Sequence, residues 1–140
     1  MNAKKNIKKI IVKKPLKLDC GETIIDYPLA YETYGTLNDK KDNAILVFHA
    51  LTGDQFASDT NPITKKPGWW SHTVGPSKAI DTNKFFVICS NVIGGCMGSF
   101  GPSHTDPNTG SVFGTNFPIL TINDMVNAQL NLLDHFGIDK

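Results

Sequence analysis

The sequence predicts an α/β fold built on a mostly parallel sheet, and three observations carry that prediction. Two short runs, residues 44–48 (Ala-Ile-Leu-Val-Phe) and 85–89 (Phe-Phe-Val-Ile-Cys), are apolar without interruption. Strands buried on both faces of a parallel sheet read this way. Each run is followed by a helical signal, giving the strand, helix, strand, helix order of α/β sheets. The connections 50–75 and 91–120 follow the carboxyl ends of the two runs, where open α/β sheets bind ligands.

Taken in order, the elements begin with a basic stretch. Six of the 14 lysines (Lys4, Lys5, Lys8, Lys9, Lys13 and Lys14) fall in the first 14 residues, and no apolar run accompanies them, so this is not a secretory signal. Residues 1–15 are expected to form a solvated, partly frayed basic arm, with a contact to phosphate or another anion as the alternative; residues 16–140 are expected to form part of one α/β domain. Outside the arm, 8 lysines face 13 acids, a balance of −5. A basic tail on an acidic body excludes an ordinary nucleic-acid-binding domain. Residues 16–25 and 27–34 are β-leaning and closely joined, with Leu29, Tyr31 and Thr33 alternating against Ala30, Glu32 and Tyr34. They predict antiparallel edge strands.

A short helix is expected over residues 76–80. A longer one starts at Thr121, an N-cap with Asp124 three residues on. Ile122, Met125, Val126, Gln129, Leu130, Leu133 and Phe136 follow at helical spacing, and Gly137 is a natural stop. An amphipathic crossover helix feeds a parallel strand, so the sheet is expected to continue after Lys140. The two long connections carry Trp69, Trp70, Phe100, Phe113 and Phe117, too much aromatic surface for disorder, and read as site-building loops.

Several classes of chemistry drop out. No stretch approaches the ~18 uninterrupted apolar residues of a membrane span, and a cytoplasmic protein is expected. There is no arginine, the side chain best suited to bidentate capture of a carboxylate. Cys20, Cys89 and Cys96 lack metal-type spacing and read as reduced thiols. His49, His72, His104 and His135 show no ligand spacing, so no metal and no bound cofactor is inferred. His49 is expected to shape a turn, and Asp54, Asp59, Asp81 and Asp106 to serve turns and caps.

Two motifs remain. Residues 49–54, His-Ala-Leu-Thr-Gly-Asp, follow the first apolar run directly. Small residues and a glycine there let the backbone turn sharply and present N–H groups to a developing oxyanion. By shape alone, such a turn is also common at strand ends. Residues 91–103 hold four glycines (Gly94, Gly95, Gly98 and Gly101), but their spacing, with Pro102 and Pro107 after them, denies a dinucleotide loop. Ser99 sits in half of a Gly-x-Ser-x-Gly pattern with no helix after it, so it reads as a structural turn serine rather than a nucleophile.

In combination, residues 29–35, 49–54, 68–70, 75–82, 91–103 and 118–126 resemble the homoserine O-acetyltransferase family, in that family's order and from about Leu16 onward. The resemblance implies an α/β-hydrolase fold, of which this would be the part preceding the nucleophile strand. It implies acetyl transfer from acetyl-CoA, as co-substrate, to the hydroxyl of L-homoserine on the way to methionine, through an acyl-serine and a Ser, Asp, His triad. By position it makes the backbone N–H of Leu51 an oxyanion donor, with Thr52 and Gly53 shaping the cleft wall. The triad and a carboxylate-binding arginine would lie beyond Lys140, leaving the segment alone inactive. A homodimer is implied for the full-length protein. Phe100 and His104 depart from the family's usual residues. Related readings are a homoserine or serine O-succinyltransferase, an esterase, or a non-catalytic fragment that needs a complementary chain.

Overall fold

The structure, a computed structural model, describes residues 7–139. A four-stranded sheet takes the order β1-β4-β8-β5, from β1 (Lys9–Val12), β4 (Tyr27–Tyr34), β5 (Ala44–Val47) and β8 (Phe86–Ser90). Two small pairs, β2 (Leu16–Lys17) with β3 (Thr23–Ile24) and β6 (Val74–Gly75) with β7 (Ile80–Asp81), complete the strands. Among the described residues one α-helix, α1 (Ile122–Phe136), packs on the main sheet.

The central strand β8 is buried at every position. Its side chains alternate: Phe86 and Ile88 meet Ala128 and Leu132 of α1 on one face, while Val87 and Cys89 meet Ala57 and Val74 of the 50–75 loop on the other. This two-sided burial is why the run carries no polar residue before Ser90. β5 runs parallel to β8, with Val47 opposite Cys89, whereas β4 runs antiparallel to β8, with Tyr31 opposite Ser90. Only one of the three ladders is therefore parallel. β5 is the sheet edge among the described residues, and Ala44, Ile45 and Leu46 are half-buried rather than interior.

Helix α1 begins and ends as its sequence predicts. The Thr121 hydroxyl accepts from Asp124 N–H (3.2 Å), while the Asp124 carboxylate accepts from Thr121 N–H (2.8 Å). Gly137 closes the helix at φ 64°, where its N–H reaches Asp134 O and the next N–H, from Ile138, reaches Leu133 O. This pair of bonds is a Schellman closure, and it requires a left-handed residue. Of the expected stripe, Gln129 is buried and Met125, Leu133 and Phe136 pack on the core, but two positions depart from it. Ala128, Gln129, Asn131 and Leu132 face inward, while Ile122 and Leu130 are exposed. Asn131 is held inside by donating to Tyr27 Oη (2.8 Å).

Three other expectations need correction. Residues 9–12 of the basic arm are not frayed: they pair antiparallel with β4, because Val12 is buried and Ile10 packs on the core between outward lysines. Lys8, Lys13 and Lys14 lie 3.0–3.1 Å from Glu32, Asp26 and Asp134. Exposed pairs of this kind contribute at most about 1 kcal/mol each, so the ladder and the buried Val12 hold the strand. Residues 1–6 of the arm lie outside the described residues. Residues 16–25 are not one strand but a tight hairpin, closed by Leu18 N–H to Glu22 O (2.8 Å). Residues 76–80 are not helical. Gly75 and Ser77 take positive φ values of 151° and 58°, and the short link between β6 and β7 is pinned by Asp81 Oδ1, which accepts from Ser77 N–H (2.9 Å).

Candidate active site

The carboxyl ends of β5 and β8 lie side by side, and both long loops start there. Residues 50–53 form a turn closed by Gly53 N–H to Ala50 O at 2.7 Å. Leu51 is 90 % exposed at its tip, with Thr52 exposed and Gly53 half-buried beside it. Among the described residues, the N–H groups of Leu51 and Thr52 make no hydrogen bond. The structure thus places the three predicted site residues on one turn, with two of its amides unengaged.

The rest of the site is scaffolding that fixes this turn. His49 Nδ1 lies 2.7 Å from Ala50 O, and His49 Nε2 receives Val92 N–H at 3.2 Å and lies 3.3 Å from Asn91 Nδ2. Asn91 is buried, and its Oδ1 accepts from Met97 N–H (3.1 Å). Met97 O in turn accepts from Gln55 Nε2 (3.0 Å), so buried Gln55 ties the first long loop to the second. Asn91 and Gln55 are contributors that sequence reasoning misses. The signal for Asn91 is a polar residue just after a strand that is apolar up to Ser90.

The remaining polar groups have structural duties. Ser99 is buried, accepts from Ala30 N–H (2.9 Å) and donates to Asn91 O (2.5 Å), so it is a turn serine as expected. Asp54 accepts from Phe56 N–H (2.9 Å) and Asn61 Nδ2 (3.1 Å), and its backbone carbonyl accepts from Trp69 Nε1 (2.9 Å). Asp106 accepts from Asn108 N–H (2.9 Å) and Thr109 Oγ1 (3.2 Å). Asp81 is held below the usual carboxylate range by hydrogen bonds from the backbone of Ser77 and Asn83. The buried thiol of Cys89, pushed up to about 12 first by burial and then by the charge of Asp54, stays protonated and is no nucleophile. Phe100 stacks among Phe113, Phe117 and His104 with centroids 5.1–5.6 Å apart, ordering the second loop. A groove of about 740 Å³ runs between Ile24, Ile25, Phe100, His104, Phe113 and Pro118, and neither Leu51 nor Gly53 lines it. The 50–53 turn lies apart from this groove, beside the β5 edge, with Leu51 exposed.

Antiparallel first strands, a parallel β5–β8 pair with a crossover, and site loops at the carboxyl ends define the α/β-hydrolase fold. No family model matches the chain. A homoserine O-acetyltransferase from Pelagibacter ubique (strain HTCC1062) is 70% identical over all 140 residues, which span 38% of that relative. One from Mesorhizobium japonicum is 62% identical over 127 residues, 91% of this chain and 33% of the relative. Among solved structures, the homoserine O-acetyltransferase of Bacillus anthracis superposes with a TM-score of 0.84 at 34% identity, covering 95% of this chain and 37% of that one. Esterase E22 gives 0.83 at 34% identity, covering 96% and 38%. Over its whole length, then, the chain is similar to the amino-terminal part of homoserine O-acetyltransferases, and it spans 33–38% of these two curated relatives.

Proposed function

We propose that these residues are the amino-terminal portion of a homoserine O-acetyltransferase. Such an enzyme moves the acetyl group of acetyl-CoA to the hydroxyl of L-homoserine in methionine biosynthesis. The observation that carries the reading is the Leu51 N–H left without a partner on the turn after β5, in a chain 70% identical throughout to a protein of that name.

In this reading a serine on the strand that follows α1 attacks the acetyl carbonyl, and CoA leaves as the thiol. The homoserine hydroxyl then takes the acetyl group from the acyl-serine. Negative charge gathers on the carbonyl oxygen in both steps, and Leu51 N–H faces it while Thr52 and Gly53 bound the cleft. One such donor is worth about 10²–10³ in rate. The serine, its acid and histidine partners and the carboxylate-binding arginine lie after Lys140, and the β5 edge receives the serine's strand. The segment alone is inactive. The full-length protein is a cytoplasmic homodimer that uses acetyl-CoA as co-substrate and no bound cofactor.

The test is thiol release by the full-length protein with acetyl-CoA, with and without L-homoserine. Release that depends on homoserine, and falls when succinyl-CoA or L-serine is substituted, supports the reading; release indifferent to the acceptor refutes it. A second reading, ester hydrolysis, is favoured by esterase E22, which superposes about as well as the transferase. Turnover of a simple acetyl ester without any alcohol acceptor, faster than acetyl-CoA use, would establish that alternative.

A further inference from the structure

We infer that His49, steered by Asn91, is the positioning residue that aims the Leu51 N–H; the inference rests on the acyl-transfer reading above. Its physical basis is a single peptide unit. The carbonyl of Ala50 and the N–H of Leu51 belong to the same planar, trans group, so they point in opposite directions. Ala50 O is pinned by two donors from inside the turn, Gly53 N–H and His49 Nδ1, each at 2.7 Å. Holding the oxygen inward turns the Leu51 N–H outward, to the surface where Leu51 is 90 % exposed.

The tautomer follows from the partners. Val92 N–H can only donate, so His49 Nε2 accepts, and the ring proton sits on Nδ1, where it donates to Ala50 O. Met97 N–H on Asn91 Oδ1 leaves the Asn91 amide hydrogens directed at His49 Nε2. The ring's one lone pair, on Nε2, is thereby engaged inside the fold, so His49 has no free lone pair facing a substrate and does not serve as the general base. Gly53 belongs to the same device: a Cβ there would stand 3.0 Å from His49 Cβ and 3.1 Å from Ala50 O, pressing on both pinning contacts.

The experiment uses the full-length protein bearing these residues. His49→Asn keeps a donor near the Nδ1 position, His49→Gln keeps only an acceptor near Nε2, and His49→Ala keeps neither. Homoserine-dependent thiol release should fall at least about tenfold in kcat for the Gln and Ala variants. KM for acetyl-CoA should stay within about twofold, and the Asn variant within about threefold of the parent. Equal loss in all three, a better Gln than Asn variant, or an unchanged Ala variant overturns the assignment. Two-bond ¹H–¹⁵N correlations on the unsubstituted protein provide a readout independent of turnover and of variant folding. The Nδ1–H form is expected for His49, and the Nε2–H form overturns the latch. A parent protein inactive towards acetyl-CoA and esters refutes the acyl-transfer reading, while the tautomer still decides the latch.

Discussion

Asp124 offers the sharpest test of how this fold is held together. Its side chain is fully buried at the start of α1, yet it carries three hydrogen bonds: Thr121 N–H at 2.8 Å, the Thr121 hydroxyl at 3.1 Å, and Asp19 N–H at 2.9 Å. The last joins the β2–β3 hairpin to a helix 105 residues away. Burial works to raise the carboxyl's pKa, but these bonds outweigh it and hold it below 3.8. Asp124→Ala removes a charged acceptor from two backbone donors. Bonds to charged groups contribute about 1.5–3 kcal/mol each, and the Thr121 end recovers some of that from water. The expected loss is about 2–4 kcal/mol. The folded-state pKa lies below the unfolded one, so the stabilisation is fully present above about pH 4. It is lost as pH falls through the depressed value. Urea unfolding of parent, Asp124→Ala and Asp124→Asn proteins at pH 7 and pH 3 checks both claims. The difference between parent and variants should shrink at pH 3. A loss below about 0.5 kcal/mol at pH 7, or an equal difference at both pH values, would refute the reasoning.

Other consequences are simpler to measure. Leu132→Ala empties a fully buried position between α1 and the sheet and should destabilise by about 2–5 kcal/mol in thermal or urea unfolding. Gly137→Ala places a β-carbon at φ 64°, against Lys41 Nζ. It should cost about 1 kcal/mol, with Gly137→Asn milder because asparagine tolerates that conformation. Of the three thiols, exposed Cys20 and Cys96 should react with a disulfide reagent in the native state, while Cys89 should react only on unfolding. Prompt labelling of all three would contradict the packing of β8.

Much of this was legible in the sequence wherever a local pattern decides the outcome. The β8 run is apolar because both of its faces are covered, and α1 is bounded by Thr121, Asp124 and Gly137, which act within a few residues of themselves. Legibility fails where distant partners decide. Lysines on either side of Ile10-Ile11-Val12 hide an edge strand whose inward residues are Ile10 and Val12. On α1 the packing keeps Met125, Leu133 and Phe136 of the expected stripe but leaves Ile122 and Leu130 exposed and adds Ala128 and Leu132. At the site, the turn announces itself through His49 to Gly53, but the Asn91–His49 contact spans 42 residues. Nothing local encodes it.

The β5–β8 ladder has a kinetic meaning. The 38 residues between Val47 and Phe86 must close as one loop before the two strands pair, at an entropic cost of roughly 3 kcal/mol from chain length alone. The 50–53 turn lies inside that loop, and Asn91, which contacts His49, lies just after the strand that closes it. During refolding, the contacts of His49 with Asn91 and Val92 can therefore form only once β8 has docked. Loosening β8 would free His49 from those partners while β1 and β4 remain paired.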